Sequence, residues 1–141
     1  MLKKIAPVLS PELIKIMMEM GHTDELVICD GNMPAYSFGK RVVRLDGHGV
    51  SEVLKAVLEY FPLDPKTETP VALCDWDGPQ PDIWEEYRSI LETSEEAEKF
   101  QNGFNMLKDP EFMERVRGAY CLVATSEKAL AANIILKKGL L

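Results

Sequence analysis

The run Leu26-Val27-Ile28-Cys29-Asp30, followed by Gly31-Asn32-Met33-Pro34, decides how this chain folds. Four consecutive apolar residues do not alternate with polar ones, so the segment reads as a strand covered on both faces. The acid and the Gly-Asn-x-Pro turn stop it. The same grammar recurs at Val71-Ala72-Leu73-Cys74-Asp75, at Tyr120–Thr125 and at Ala132–Leu136, with Arg41–Leu45 as a further strand.

Between these runs the period changes from strand to helix. Residues 10–21 predict a helix: Ser10 caps it, Pro11 suits its first position, Leu13, Ile16, Met17 and Met20 share a face, and Gly21 stops it. Val50, Val53, Leu54, Val57, Leu58 and Phe61 trace a second helical face, with Ser51 as its expected cap and Pro62 and Pro65 beyond its end. The polar stretch Pro81–Lys108 carries Ile83, Trp84, Tyr87, Ile90 and Leu91 on one face of a third. Asp109-Pro110-Glu111 opens a fourth, turning Phe112, Met113 and Val116 inward. Strands covered on both sides and alternating with helices define an α/β chain, a three-layer α/β/α single domain over residues 1–141. The pattern does not order the strands within the sheet.

Composition excludes several classes. The 141 residues are 46% hydrophobic and 28% charged, the balance of an ordinary globular domain. With 16 basic against 23 acidic side chains the net charge is −7, and the densest basic runs, Lys3-Lys4 and Lys137-Lys138, lie at the two ends. A nucleic-acid surface needs clustered Lys and Arg, so no nucleic-acid partner is expected. The longest apolar run, Ala119–Ala124, has six residues, against the roughly 20 of a membrane span, so no membrane partner is expected. No signal-peptide pattern follows Met1-Leu2-Lys3-Lys4. Cys29, Cys74 and Cys121 each sit inside an apolar run, as buried reduced thiols of a cytoplasmic protein do.

Few residues are placed to do chemistry. Asp30 and Asp75 each follow an apolar strand, where α/β sheets bind ligands, although an Asp there also simply caps a turn. His22 lies just past Gly21, as a catalyst or as a cation complementing a helix C-terminus. His48, between two glycines, reads as a turn residue. Asp75-Trp76-Asp77-Gly78 opens like a calcium loop but lacks its later acids. With two histidines in all and no Cys-x-x-Cys pair, no metal site is expected. Trp84 and Tyr87 read as core.

Two blocks of the chain are similar to a known family. The first is Met1-Leu2-Lys3-x-Ile5-x-Pro7-x-Leu9-Ser10-Pro11-Glu12-Leu13, continuing through Met20-Gly21-His22-x-Asp24-Glu25 to Asp30-x-Asn32-x-Pro34-Ala35. The second is Val123-Ala124-Thr125, Glu127 and Ala132-Asn133-Ile134-Ile135-Leu136-Lys137-Lys138-Gly139. Both resemble the ribose pyranase / fucose mutarotase (RbsD/FucU) family, closer to its fucose mutarotase branch. The resemblance implies a cofactor-independent isomerase that interconverts anomers of a free monosaccharide, L-fucose or a related sugar, by acid–base ring opening. It also implies a ring-shaped homo-oligomer, commonly a decamer, with sites near subunit contacts. It assigns His22 as proton donor, Asp30 as a ligand of sugar hydroxyls, and Ala132-Asn133 as part of a Tyr-Ala/Gly-Asn sugar-binding motif. Tyr120 is the retained aromatic that would touch sugar.

Three positions depart from the family pattern. Asp109, Met113 and Ala131 stand where Arg, Tyr and Tyr are usual. They point to poor handling of L-fucose and preference for a different or bulkier sugar. They also leave two other readings open: a non-catalytic sugar-binding or scaffold protein, and a pyranase exchanging pyranose and furanose rings.

Overall fold

The computed structural model describes residues 1–141. In chain order the elements are α1 Pro11–Glu19, β1 Glu25–Cys29, α2 Ala35–Phe38, β2 Val42–Leu45, α3 Val50–Leu58, β3 Val71–Asp75, α4 Ile83–Glu92, a 3-10 turn Ala97–Phe100, β4 Asn105–Lys108, α5 Asp109–Gly118, β5 Cys121–Thr125 and β6 Ile134–Lys137. All six strands join one sheet in the order β2-β5-β1-β6-β3-β4. β1, β2, β3, β4 and β5 run the same way; β6 alone runs against them, between β1 and β3. That reversal brings the start of β6 beside the end of β1, with Ile134 opposite Ile28.

Alternate strand residues serve two cores, which is why the apolar runs are unbroken. Leu26, Ile28, Val123, Ile134 and Leu136 pack with Leu13, Leu54, Val57 and Tyr87 from α1, α3 and α4. Val27, Cys29, Leu122 and Ile135 face the other way, onto Ala35, Phe112 and Val116 from α2 and α5. The three-layer α/β reading therefore holds. The second face is the thinner one, because α2 supplies four residues and α5 carries only Phe112 and Val116 fully inward.

The local expectations are met unevenly. Ser10 accepts the Leu13 N–H at 3.1 Å and Pro11 opens α1. α1 stops at Glu19, however, and Met20 is already extended; the left-handed residue of the following loop is Thr23 at φ 74°, not Gly21. Ser51 lies inside α3 and does not cap it: Gly49 occupies the cap, and the Glu127 carboxylate accepts the Val50 N–H at 3.2 Å from across the fold. The polar Pro81–Lys108 stretch is not one helix. After α4 it turns through Ala97–Phe100 and ends as β4, an edge strand that buries only Leu107 and so lacks a continuous apolar run. Cys29 and Cys121 are buried, but Cys74 is only partly so.

Candidate functional site

The carboxyl ends of β1, β3 and β4 and the start of β6 surround a cavity of about 310 Å³. Ligands bind at this end of parallel α/β sheets because strand ends and loops leave backbone and polar groups free there. Asp30 and Asn133 form its polar floor, with Cys74, Asp109, Met113 and Ala131 around them. The three departures named above thus converge on one cavity with two of the four residues that the resemblance assigns to sugar binding, Asp30 and Asn133.

Asp30 is 6% exposed and densely bonded. Its Oδ1 accepts the Asn32 N–H at 2.9 Å, and its Oδ2 accepts Asn133 Nδ2 at 3.2 Å and the Ala132 N–H at 3.4 Å. In return the Asp30 N–H donates to Asn133 Oδ1 at 2.8 Å. The pair is locked face to face across 103 residues of sequence. A carboxylate offers roughly four lone-pair positions and an amide two donors, so acceptor and donor capacity remain for a ligand. Asp75, the other acid singled out, is the last residue of β3; it is half-buried and bonds Lys108 at the sheet edge instead.

The loop that delivers Ala131–Asn133 is held from α4. Trp84 Nε1 donates to the Ala131 carbonyl at 2.8 Å, and the Tyr87 hydroxyl donates to the Ala132 carbonyl at 2.7 Å. Burial, with Glu127 and Asp30 nearby, pushes the Tyr87 phenol well above its usual range, so it stays a donor. Ala131 holds φ 52°, a left-handed conformation that a β-carbon disfavours and these clamps stabilise. Trp84 and Tyr87 are core residues, as their spacing says; their polar tips are what the spacing does not reveal. Ala132 is fully buried, so its N–H bond to Asp30 is its contribution.

His22 is elsewhere. It lies before β1, at the opposite end of the strand that leads to Asp30. Its Nε2 meets Asp64 Oδ1 at 2.9 Å, in the segment after α3. Tyr120 is at that same end: its N–H bonds the Glu25 carbonyl at 2.9 Å, and Arg41 stacks 3.9 Å from its ring centre. One chain therefore brings Asp30, Ala132 and Asn133 together and holds His22 and Tyr120 away from them. No Lys, Arg or His lines the cavity.

Sequence reasoning missed two features of this arrangement. Trp76 lines the cavity with its indole braced by Nε1 donating to the Pro79 carbonyl at 3.1 Å; inside Asp-Trp-Asp-Gly it drew attention only to its flanking acids. Asp64, 2% exposed, sits between Pro62 and Pro65, where nothing in the local pattern signals it. The thiols are no candidates for nucleophiles. Burial raises all three, Cys121 up to about 11, and at Cys74 the nearby Asp109 and Asp75 add to the effect. No three His, Cys, Asp or Glu side chains converge as a metal ion requires.

The chain thus carries a mixed α/β/α sheet with a buried Asp–Asn pair in the cavity at its carboxyl edge. The profile of the RbsD / FucU transport protein family matches residues 3–141, and the chain belongs to that family. It is 41% identical over 149 aligned residues to fucose mutarotase of Mus musculus, covering 99% of this chain and 95% of that one. The fucose mutarotase of Streptococcus pneumoniae, solved in complex with L-fucose, superposes with a TM-score of 0.92 at 38% identity, covering 99% of both chains. RbsD of Bacillus subtilis, solved with D-ribose, gives 0.72 at 25% identity, covering 100% of this chain and 99% of that one. The chain is thus more similar to these fucose mutarotases than to that RbsD.

Proposed function

We propose that this protein is a monosaccharide mutarotase. The observation that carries the reading is the buried Asp30–Asn133 pair lining a cavity of about 310 Å³, in a chain about 40% identical to fucose mutarotases. In the proposed reaction the anomeric O–H loses its proton, the C1–O5 bond breaks, and the ring oxygen gains a proton. The open aldehyde rotates about C1–C2 and the steps reverse. One C–O bond breaks and re-forms as protons are exchanged, and no atom changes oxidation state overall, so the chemistry calls for an acid–base group and no redox cofactor.

Asp30 accepts sugar hydroxyls and Asn133 both donates and accepts. His22 is the proton donor and acceptor, since imidazole serves either role near neutral pH. Its distance from Asp30 makes the site a shared one, with His22 supplied by a neighbouring copy in a ring-shaped oligomer. Two features support this. Asp24 and Asp30, flanking β1, stand roughly 20 Å apart at ~3.3 Å per residue, beyond the reach of one sugar. The N-terminal segment and α1, the helix that precedes His22 in the chain, line an apolar groove of about 730 Å³ with Leu2, Ile5, Ile14 and Met18, two of them strongly exposed. Apolar area of that kind marks a protein contact.

Magnetisation-transfer NMR on free L-fucose, D-ribose and D-galactose tests the proposal. Accelerated exchange between α and β pyranose signals is expected. Saturable binding without acceleration would replace it with the non-catalytic sugar-binding reading, which the separation of His22 from Asp30 within one chain favours. Exchange confined to pyranose and furanose forms would make the protein a pyranase.

A further inference from the structure

We propose that Trp76 is the platform on which the sugar ring stacks, the residue that makes the cavity discriminate between epimers by their C–H faces. The inference rests on the mutarotase reading above and concerns the same cavity. It begins from what the lining offers. Asp30 and Asn133 can take hydroxyl groups, but a pyranose also has C–H faces that its hydroxyls do not cover. Two aromatic residues line the cavity. Phe112 is 1% exposed and belongs to the core, so the half-buried Trp76 alone presents a ring face. Sugar C–H bonds carry partial positive charge and the indole face is negative, so the two attract as both leave water.

The indole is built into place. Trp76 directly follows β3, whose last residue is Asp75, so the sheet sets where its backbone leaves. Its ring packs in part against the larger core. Nε1 donates to the Pro79 carbonyl at 3.1 Å, which folds the loop back onto the ring and leaves no polar tip for the sugar. Gly78 is the seat. A β-carbon there would overlap the benzo edge of the indole, so only glycine lets the backbone pass this close. A second cavity, of about 360 Å³, lies against the same indole with Trp84, Phe104 and Arg88, so Trp76 is a partition rather than a filler of core space. A side chain fixed before its ligand arrives loses little freedom on binding, which is what a stacking surface requires. Trp84 serves the fold instead: it is 7% exposed, and its Nε1 holds the Ala131 carbonyl.

The test compares D-galactose with its C4 epimer D-glucose on the full-length protein. D-Galactose leaves the C–H bonds of C3, C4 and C5 on one face, whereas D-glucose puts its C4–H on the other. Calorimetry and indole fluorescence report binding, and magnetisation-transfer NMR reports exchange. Wild type is expected to prefer D-galactose, with a fluorescence change on saturation. Trp76→Ala is expected to raise Kd and KM for D-galactose by about two- to tenfold with kcat little changed, and to bring the preference toward one. Trp76→Phe, which keeps a ring face, is expected to restore part of that preference while losing the fluorescence change. Gly78→Ala dislodges the indole without removing it and is expected to lose the preference too; it decides the matter should Trp76→Ala fail to fold. A preference that survives Trp76→Ala or Gly78→Ala overturns the proposal, as does a failure of both epimers to bind. If Trp76 governs binding but no sugar exchanges faster, the mutarotase reading fails and the platform stands. If exchange is fast and indifferent to Trp76, the platform fails and the mutarotase reading stands.

Discussion

The two ends of β1 make a useful contrast. At its carboxyl end a buried acid is locked to an amide and faces a cavity; at its amino end a half-exposed histidine is locked to a buried acid and faces outward. The end proposed to hold the sugar has no basic group; the end with the proposed acid–base group has no Asp–Asn pair. Each is a finished piece of chemistry, and neither is sufficient for ring opening. The proposed shared site assigns the missing half to a second copy of the chain.

That contrast breaks most decisively under mixing. His22→Ala and Asp30→Ala are each expected to lose catalysed exchange, by about 10²–10⁴-fold for the acid–base group. Mixed oligomers of the two inactive variants, refolded together in equal amounts, are expected to recover about a quarter of wild-type activity, because random pairing gives that share of sites both intact partners. Light scattering must also report a mass well above the 15.9 kDa chain. A monomer, or a mixture as dead as its parts, would show that the halves do not meet between subunits.

A smaller effect, confined to the histidine end, is expected from Gly139→Ala. A β-carbon there collides with the Leu63 carbonyl, a backbone atom that cannot swing away. The strain is expected to cost about 1–3 kcal/mol in urea unfolding and to displace Asp64, which directly follows Leu63. Exchange should fall while sugar affinity, set at the other end, stays near wild type. Equal loss of both would mean that the ends are coupled through the sheet.

At the cavity end Tyr87→Phe is the matching probe. It strands the buried Ala132 carbonyl, at a cost of about 1–3 kcal/mol, and loosens the loop carrying Asn133. Here sugar affinity should weaken. An unchanged affinity in calorimetry would show that the Asp30 contacts alone hold the loop.

How much of this was legible beforehand follows from the physics of each signal. Unbroken apolar runs reported the two-sided core, because alternate residues of β1 serve different layers. β4 stayed hidden because an edge strand burying one residue has no apolar run to show. Asp30 and Asn133 were readable as residues; their mutual bond was not, since it spans 103 positions. His22 was readable and Asp64 was not, because Asp64 is defined by what it touches. Strand order, and with it the reversal of β6 that brings Asn133 to Asp30, had no local signature at all.

Acid should separate the ends more gently. Asp64 titrates at about 2 in the folded chain against an ordinary 3.8, so its contribution to stability is fully present above the ordinary value and is lost as pH falls through 2. Stability measured from pH 5 down to 2 should therefore drop less steeply in Asp64→Asn than in wild type. Parallel curves would mean that the His22 and Thr67 bonds do not hold the carboxylate ionised in solution.

The smallest expected effect sharpens the cavity end by changing its sugar. Ala131 lacks the hydroxyl and ring face of the Tyr usual at that position, and Asp109 puts a carboxylate where a guanidinium is usual. A lost neutral hydrogen bond amounts to about 0.5–1.5 kcal/mol, or roughly two- to tenfold in exchange rate or affinity. Ala131→Tyr is therefore expected to raise L-fucose exchange by that factor, and Asp109→Arg to add to it through charged donors. Tyr120 cannot make up the deficit within the chain, since it stacks with Arg41 at the histidine end. Trp76 can, because its braced indole already lines the cavity. Exchange rates of wild type, Ala131→Tyr and Trp76→Ala on L-fucose decide between the two. Strong wild-type exchange that Tyr does not improve and that Trp76→Ala abolishes would show that the indole has taken over the missing ring. The cavity would then be a rebuilt fucose site rather than one opened to a larger sugar.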